Sequence, residues 1–242
     1  MAGGDPVLSL DGRRAVVTGA SRGIGRAVAA RLVAGGARVI MVARSRDALE
    51  EAAREAGGIA VPADVSDAAQ VAGLADSVHR TLAGPADVLI NAAGAFSLAS
   101  VAETTVEEFD LQVSVNLRGT FLMIRVFLPS MLAAGAGDIV TLGSIAGRVA
   151  FPMNGAYSAS KFGVRGLHAV LDQELRGTGV RSTLVEPAAT DTPLWDAIDR
   201  TRHNELPPRS AMLDADQVAA AVVWAVMRPS GAAVRTIAIE RA

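Results

Sequence analysis

From Arg13 onward, short apolar runs alternate with stretches in which apolar residues recur at helical spacing. The runs Ala15–Thr18, Arg38–Ala43, Ile59–Pro62, Asp87–Asn91, Asp138–Leu142, Arg181–Val185 and Val234–Ile239 read as strands. Between them, Gly23–Ala34, Arg46–Ala56, Asp67–Leu82, Val106–Leu132 and Gly155–Gly177 read as helices, the fourth closing near Gly135. The strands are continuously apolar rather than alternating, as strands are when helices cover both faces of a parallel sheet. A single α/β domain over residues 1–242 is expected, since no stretch resembles an interdomain linker. Residues 190–212 are the least regular, with Pro193, Pro207, Pro208, Trp195 and His203, and read either as a flap over a site or as a surface excursion.

Composition narrows the chemistry. Half of the 242 residues are apolar, enough for a sizeable core, and the net charge of -2 comes from interspersed acids and bases. No basic surface for nucleic acid is suggested, so a small-molecule partner is expected. With no cysteine, and with His79, His168 and His203 at no metal-ligand spacing, neither a thiolate nor a metal site is expected. Redox chemistry would then require a bound cofactor. The first eleven residues hold no apolar stretch of signal-peptide length, and later apolar runs look too interrupted to span a bilayer. The reading is a cytoplasmic protein without a membrane partner.

One pair of residues stands out. Tyr157 is the only tyrosine and Lys161 the only lysine, although the other basic positions hold twenty-two arginines (23 basic residues less one). Four residues is just over one helical turn, so a phenol and an ammonium would project from one helix face. Between the first strand and first helix lies Thr18-Gly19-Ala20-Ser21-Arg22-Gly23-Ile24-Gly25. Its glycines allow a tight turn and close approach to a pyrophosphate, which the helix N-terminus then meets. An acidic residue would be expected at the end of the second strand for NAD; Arg44 stands there instead, and Arg22 can converge on it. Two planar guanidiniums suit a 2′-phosphate, so NADP(H) is expected, with NAD(H) as the alternative.

The glycine spacing G-x-x-x-G-x-G, with the Y-x-x-x-K pair, resembles the short-chain dehydrogenase/reductase family, and its other motifs follow in order. Asp64-Val65 resembles the adenine-contacting pair, and Asn91-Ala92-Ala93-Gly94 the segment closing the fourth strand beside the cofactor. Asn116 matches the active-site Asn, Ser144 the catalytic Ser, and Pro187, Thr190 and Thr192 the nicotinamide-side segment. The resemblance implies a doubly wound Rossmann domain with a mainly parallel sheet of about seven strands. It implies catalysis by Asn116, Ser144, Tyr157 and Lys161, with cofactor contacts from Gly19, Ser21, Arg22, Gly23, Ile24, Gly25, Arg44, Asp64, Val65, Asn91, Ala93, Gly94, Tyr157, Lys161, Pro187, Thr190 and Thr192. The expected activity is interconversion of a carbonyl and an alcohol with Tyr157 as acid/base. Alternatives are a non-catalytic NADP(H) sensor and a dehydratase or epimerase of the extended branch.

For the phenol to work near neutrality its pKa must fall by roughly 3 units, about 4 kcal/mol, and Lys161 is the expected source. By the same resemblance Lys161 holds the ribose hydroxyls, Asn116 holds a relay water, and Ser144 stabilises the substrate oxygen. Phe96, Ser144, Ile145, Val149, Phe151, Met153, Tyr157, Leu194 and Trp195 are the expected substrate wall. His168 reads as a packed or surface histidine and Arg46 as solvated. The chain departs from the pattern at Ala188, where Gly is usual, at Glu186 before Pro187, at Gly143, where many relatives carry a second Ser, and in a C-terminus without a glycine-rich ending. Relatives pair two long helices, so a homotetramer is expected, with a dimer as runner-up.

Overall fold

The computed structural model describes residues 9–199, 206–229 and 231–242. Each apolar run becomes a strand, and the strands pair in parallel throughout: β1 (Arg14–Thr18), β2 (Arg38–Ala43), β3 (Ile59–Pro62), β4 (Val88–Asn91), β5 (Gly137–Leu142), β6 (Val180–Pro187) and, last in the chain, Thr236–Ile239. Across the sheet the order is β3-β2-β1-β4-β5-β6, followed by the last strand. The order reverses between β1 and β4, which opens a crevice at their carboxyl ends.

Two layers of helices cover the sheet, and each accounts for one side-chain row of the strands. On one face, α1 (Gly23–Ala34), α2 (Arg46–Ala56) and a helix at Ala215–Met227 bury Val28, Leu32, Leu49, Val218 and Val222 against Val17, Met41 and Val185. On the other, α3 (Ala68–Ala72), α4 (Leu74–Leu82), α5 (Val106–Val113), α6 (Gly119–Ala134) and α7 (Gly155–Glu174) bring Val78, Leu82, Met123, Phe127 and Leu171 onto Val16, Leu89 and Ile139. With helices on both faces no polar alternation is needed, which is why the strands read as unbroken apolar runs.

The structure modifies several expectations. The helix expected over Asp67–Leu82 breaks at Gly73, after Asp67 caps α3 by accepting from the Ala69 and Gln70 amides. The expected Val106–Leu132 helix opens with a Thr105–Glu108 capping box. It widens into one π turn at Ser114–Arg118 and runs to Ala134, where Gly135 closes it at φ 62°. At 29 residues this Val106–Ala134 segment is long and apolar enough to cross a membrane, contrary to the reading of interrupted runs. Its Leu122, Met123, Phe127 and Met131 are nevertheless buried on the sheet. Within 190–212, β7 (Thr190–Asp191) pairs in parallel with β8 (Leu213–Asp214), whose Asp214 caps α8 (Ala215–Met227); the closing strand is therefore β9 (Thr236–Ile239). His203 and part of the expected flap lie outside the described residues.

At the amino ends of the strands one buried carboxylate gathers three guanidiniums. Asp138 accepts from Arg13 at 2.8 Å and from Arg181 at 2.9 and 3.0 Å, and Arg228 stands 3.6 Å away. The chemistry suggested by the sequence belongs at the other end.

Candidate active site

The loop after β1 is built for close backbone contact. Gly19 has φ +65°, and a Cβ there would sit 2.7 Å from both the Ala92 carbonyl oxygen and the Ala93 Cα; a Cβ on Gly25 would meet the Gly19 carbonyl oxygen at 2.4 Å. Glycine is therefore required at both. Gly23 opens α1 at φ +55° and faces the Thr192 side chain, so the glycine loop and the Pro187–Thr192 segment form two sides of one cleft. Arg22 precedes α1 without a side-chain cap, which leaves the first helical amides facing outward as anion donors. Ser21 and Ile24 are half-buried beside them.

Thr18 closes the floor of the cleft. Its hydroxyl accepts from the Ala92 and Ala93 amides at 3.0 and 3.1 Å, which ties the end of β1 to the end of β4. Asn91, buried, donates to Thr141 Oγ1 at 3.3 Å, but its Oδ1 has no partner among the described residues. An orphaned buried acceptor beside a glycine cradle fits a cleft that receives a polar cofactor. Gly94 is exposed next to it.

At the far end of the cleft, Asp64 accepts from the Ser66 amide and hydroxyl, while Val65 packs beneath Gly119. Arg44 is exposed, with Nη1 4.0 Å from Asp64 Oδ2, and Arg22 is also exposed, so both guanidiniums are free to turn toward a ligand. Arg46 pairs with Glu50 along α2. Ser45 stands next to Arg44 and caps α2 without using its hydroxyl. Its signal was positional: a serine between an arginine and a helix start.

The Tyr–Lys pair lies on α7 as its spacing implies. Lys161 Nζ stands 5.7 Å from the centre of the Tyr157 ring and donates to the Leu142 carbonyl at 2.8 Å. Ser144, at the bend after β5, accepts from the Ala146 amide, and its hydroxyl lies close enough to the Tyr157 phenol to favour the phenolate. Asn116 sits in the π turn, where its side chain accepts from the Ala95 amide at 2.7 Å and donates to the Ala95 carbonyl and to Ser160 Oγ. Ser160, fully buried, donates in turn to the Tyr157 carbonyl and so joins Asn116 to the tyrosine's own turn. Ser160 was not foreseen, although a small polar residue inside Y-x-x-x-K was its trace. The Asn116 carbonyl accepts from Thr120 Oγ1 at 2.7 Å.

The ionisation of the pair differs from expectation. Burial pushes the Tyr157 phenol up to about 12, with the Ser144 hydroxyl pulling the other way. Burial also lowers the Lys161 ammonium to about 8. Lys161 alone therefore does not bring the phenol below its ordinary value, because desolvation of the phenolate outweighs what its neighbours return.

The aromatic residues form a wall. Phe96 lies edge-to-face with both Tyr157 and Trp195, at 4.8 and 5.0 Å between ring centres, and Trp195 is fixed by donating to the Thr190 carbonyl. Ile145, Met153 and Leu194 are half-buried, with Met153 at φ +66°, whereas Val149 and Phe151 are exposed on the loop from Ser144 to α7. Pro187, Thr190 and Thr192 are buried, and Thr190 donates to the Ala188 carbonyl. Ala188 avoids positive φ and donates to Ile239, so the missing glycine is accommodated. At Gly143 a Cβ would come within 3.1 to 3.2 Å of the Leu184 and Glu186 side chains, a tight fit for any larger residue. His168 is a packed histidine, held between Ser182 and the Arg235 carbonyl.

Residues 13–203 match the family model for short chain dehydrogenase. The chain belongs to the short-chain dehydrogenase family. It is an oxidoreductase of that class, and similar proteins carry several substrate names. It is 38% identical to D-threitol dehydrogenase of Mycolicibacterium smegmatis, covering 89% of this chain and 86% of that protein. It is 40% identical, over 97% of its own length, to glycine betaine reductase ATRR of Emericella nidulans, but spans only 19% of that much longer protein. Among solved structures it resembles the closed form of a serine dehydrogenase complexed with NADP+, with a TM-score of 0.87 at 27% identity, covering 93% of each chain.

Proposed function

We propose that this short-chain dehydrogenase is an NADP(H)-dependent enzyme that interconverts a small carbonyl compound and its alcohol, with Tyr157 as the acid/base. The observation that carries the reading is the Ser144–Tyr157–Lys161 cluster at the mouth of a glycine-built cleft. Bound NADPH supplies the hydride. Gly19, Gly23 and Gly25 let the α1 amides receive the pyrophosphate, Asn91 offers its free Oδ1, and Arg22 and Arg44 suit the 2′-phosphate that the serine dehydrogenase relative's cofactor also carries.

Below about pH 8 the ammonium of Lys161 is charged and the phenol of Tyr157 is protonated, the state required to give a proton to a carbonyl oxygen. Ser144 donates to the oxygen as charge develops on it, and Asn116 with Ser160 fixes the turn from which the phenol projects. The Phe96–Tyr157–Trp195 wall favours a substrate with a compact apolar or mixed flank. We read the protein as cytoplasmic. It also self-associates in our reading, through the apolar groove of about 430 Å³ lined by Phe121, Leu128, Leu132, Leu167 and Val170 of α6 and α7.

The test is a screen of NADPH oxidation and NADP+ reduction over hydrophobic ketones, 3-oxoacyl esters, 3-hydroxy acids, D-threitol, serine and glycine betaine. Turnover that disappears in Tyr157→Phe supports the proposal. Tight NADPH binding without turnover on any compound would favour a cofactor-binding sensor.

A further inference from the structure

A second buried carboxylate lies beneath the reacting groups, and the mechanism above does not use it. Glu186 is 2% exposed and is the next-to-last residue of β6, immediately before Pro187. Its Oε1 accepts from Arg165 Nη1 at 2.5 Å, and its Oε2 lies 3.8 Å from Arg148 Nε. Each partner belongs to a different piece of the site. Arg165 stands one helical turn beyond Lys161 and two beyond Tyr157, on the same stripe of α7. Arg148 ends the short turn Ile145–Gly147 that Ser144 begins, and it is also held by Glu240 at 2.8 Å.

The backbone packs equally closely around this carboxylate. A Cβ on Gly143 would lie 3.2 Å from Glu186 Cγ, so the side chain lies against the bend that presents Ser144. A Cβ on Gly147 would lie 2.8 Å from the Lys161 carbonyl oxygen, so the Ser144 turn and α7 meet backbone to backbone. Glu186 thus joins the Ser144 turn and the Tyr157–Lys161 helix through its side chain, and the Pro187–Thr192 segment through its own chain. A carboxylate is a poor choice for stability at such a place, because a buried ion pair seldom outperforms well-packed apolar side chains. What it supplies is a direct, hydrogen-bonded hold on Arg165 and a longer charge contact with Arg148, so that one carboxylate faces both pieces of the site.

We propose that Glu186 is a positioning residue: by clamping Arg165 and Arg148 it sets the register of Ser144 against Tyr157 and Lys161. The inference rests on the Ser144–Tyr157 reading of the reaction. The experiment is a double-mutant cycle of Glu186→Gln with Ser144→Ala, using the best substrate from the screen and measuring kcat, KM and, through nicotinamide fluorescence, NADPH affinity.

Glu186→Gln is expected to lower kcat by about tenfold or more, the scale of a sub-ångström to ångström misplacement of reacting groups, while NADPH affinity changes by less than about threefold. In the Ser144→Ala background the same substitution should cost less than about twofold, because the contact it aligns is already gone. Near wild-type turnover for Glu186→Gln, full multiplicative loss in the Ser144→Ala background, or a parallel loss of NADPH binding would each overturn the proposal. If Glu186→Gln does not fold, Arg165→Gln, on the half-exposed arm of the clamp, is read in the same cycle against the same criteria. A harmless Ser144→Ala would sink the parent reading and the alignment with it, and is recognised without any change at position 186.

Discussion

Because Tyr157 is the only tyrosine, the ionisation of the proposed acid/base can be followed directly by tyrosinate absorbance. In the cofactor-free chain the phenol stands at about 12 and the ammonium at about 8, so Lys161 has already lost its charge when the phenol ionises. Proton transfer from phenol to amine within the pair spans about four units, 12 less 8, or roughly 5 kcal/mol. With Nζ 5.7 Å from the ring centre, attraction between the resulting ions, taken at about 6 Å, returns only about 3 kcal/mol at an effective dielectric of about 20, so the neutral phenol wins. When bound, oxidised nicotinamide would supply a further positive charge, and a unit charge within about 6 Å would lower the phenol by about two units. Titration should therefore show no tyrosinate midpoint near 10 in the free protein, and saturating NADP+ should move the midpoint down by about two units. Lys161→Met should leave the cofactor-free titration nearly unchanged, since an uncharged amine contributes little there. In turnover, carbonyl reduction should hold through neutrality and fall as pH rises through about 8, where Lys161 loses its proton, and alcohol oxidation should gain with pH. A cofactor-free midpoint at the ordinary phenol value, or a midpoint indifferent to NADP+, would refute the reasoning.

Lys161→Arg keeps the charge but replaces a compact ammonium with a planar fork in a buried site; turnover should fall at least tenfold, with circular dichroism unchanged, and near wild-type kcat would make Lys161 merely structural. Arg44→Asp should shift preference from NADPH toward NADH by tenfold or more, from the roughly 1.5 to 3 kcal/mol of one charge-assisted contact, and equal losses for both cofactors in fluorescence titrations would contradict the 2′-phosphate assignment. Gly19→Ala places a Cβ against the backbone of Ala92 and Ala93 at positive φ; it should cost about 1–3 kcal/mol of stability and most NADPH binding, both measurable by thermal melts with and without cofactor.

The βαβ start, the glycine turn and the Tyr157–Lys161 stripe were legible because each depends on local spacing. The alternation of apolar runs and helices implied parallel strands, whereas their order across the sheet is set by pairing between segments far apart in the chain. Helix α8 escaped notice because Ala215–Met227 is apolar nearly all round, which hides helical periodicity, although Asp214 and Gln217 spelled out its capping box. The π turn at Ser114–Arg118 is likewise invisible in a pattern that continues helically on both sides. The direction of the Tyr157 shift could not be read from spacing at all. It is decided by how much water the fold removes from the phenol, and residues far apart in the chain set that. The Glu186 clamp is of the same kind: Arg148, Arg165 and Glu186 carry no common motif, and only the packing of β6 beneath the Ser144 bend brings them together.

The Asp138 hub changes how damage to this protein would show itself. It stitches the segments leading into β1, β5 and β6 and following α8 through one carboxylate, at the end of the sheet where no candidate site residue lies. A lesion there would leave Arg181 and Arg228 without their counter-ion and Arg13 with Asp87 alone, so the molecule would be lost to unfolding while each surviving copy worked at full speed. Fewer active molecules, rather than slower ones, would be the signature.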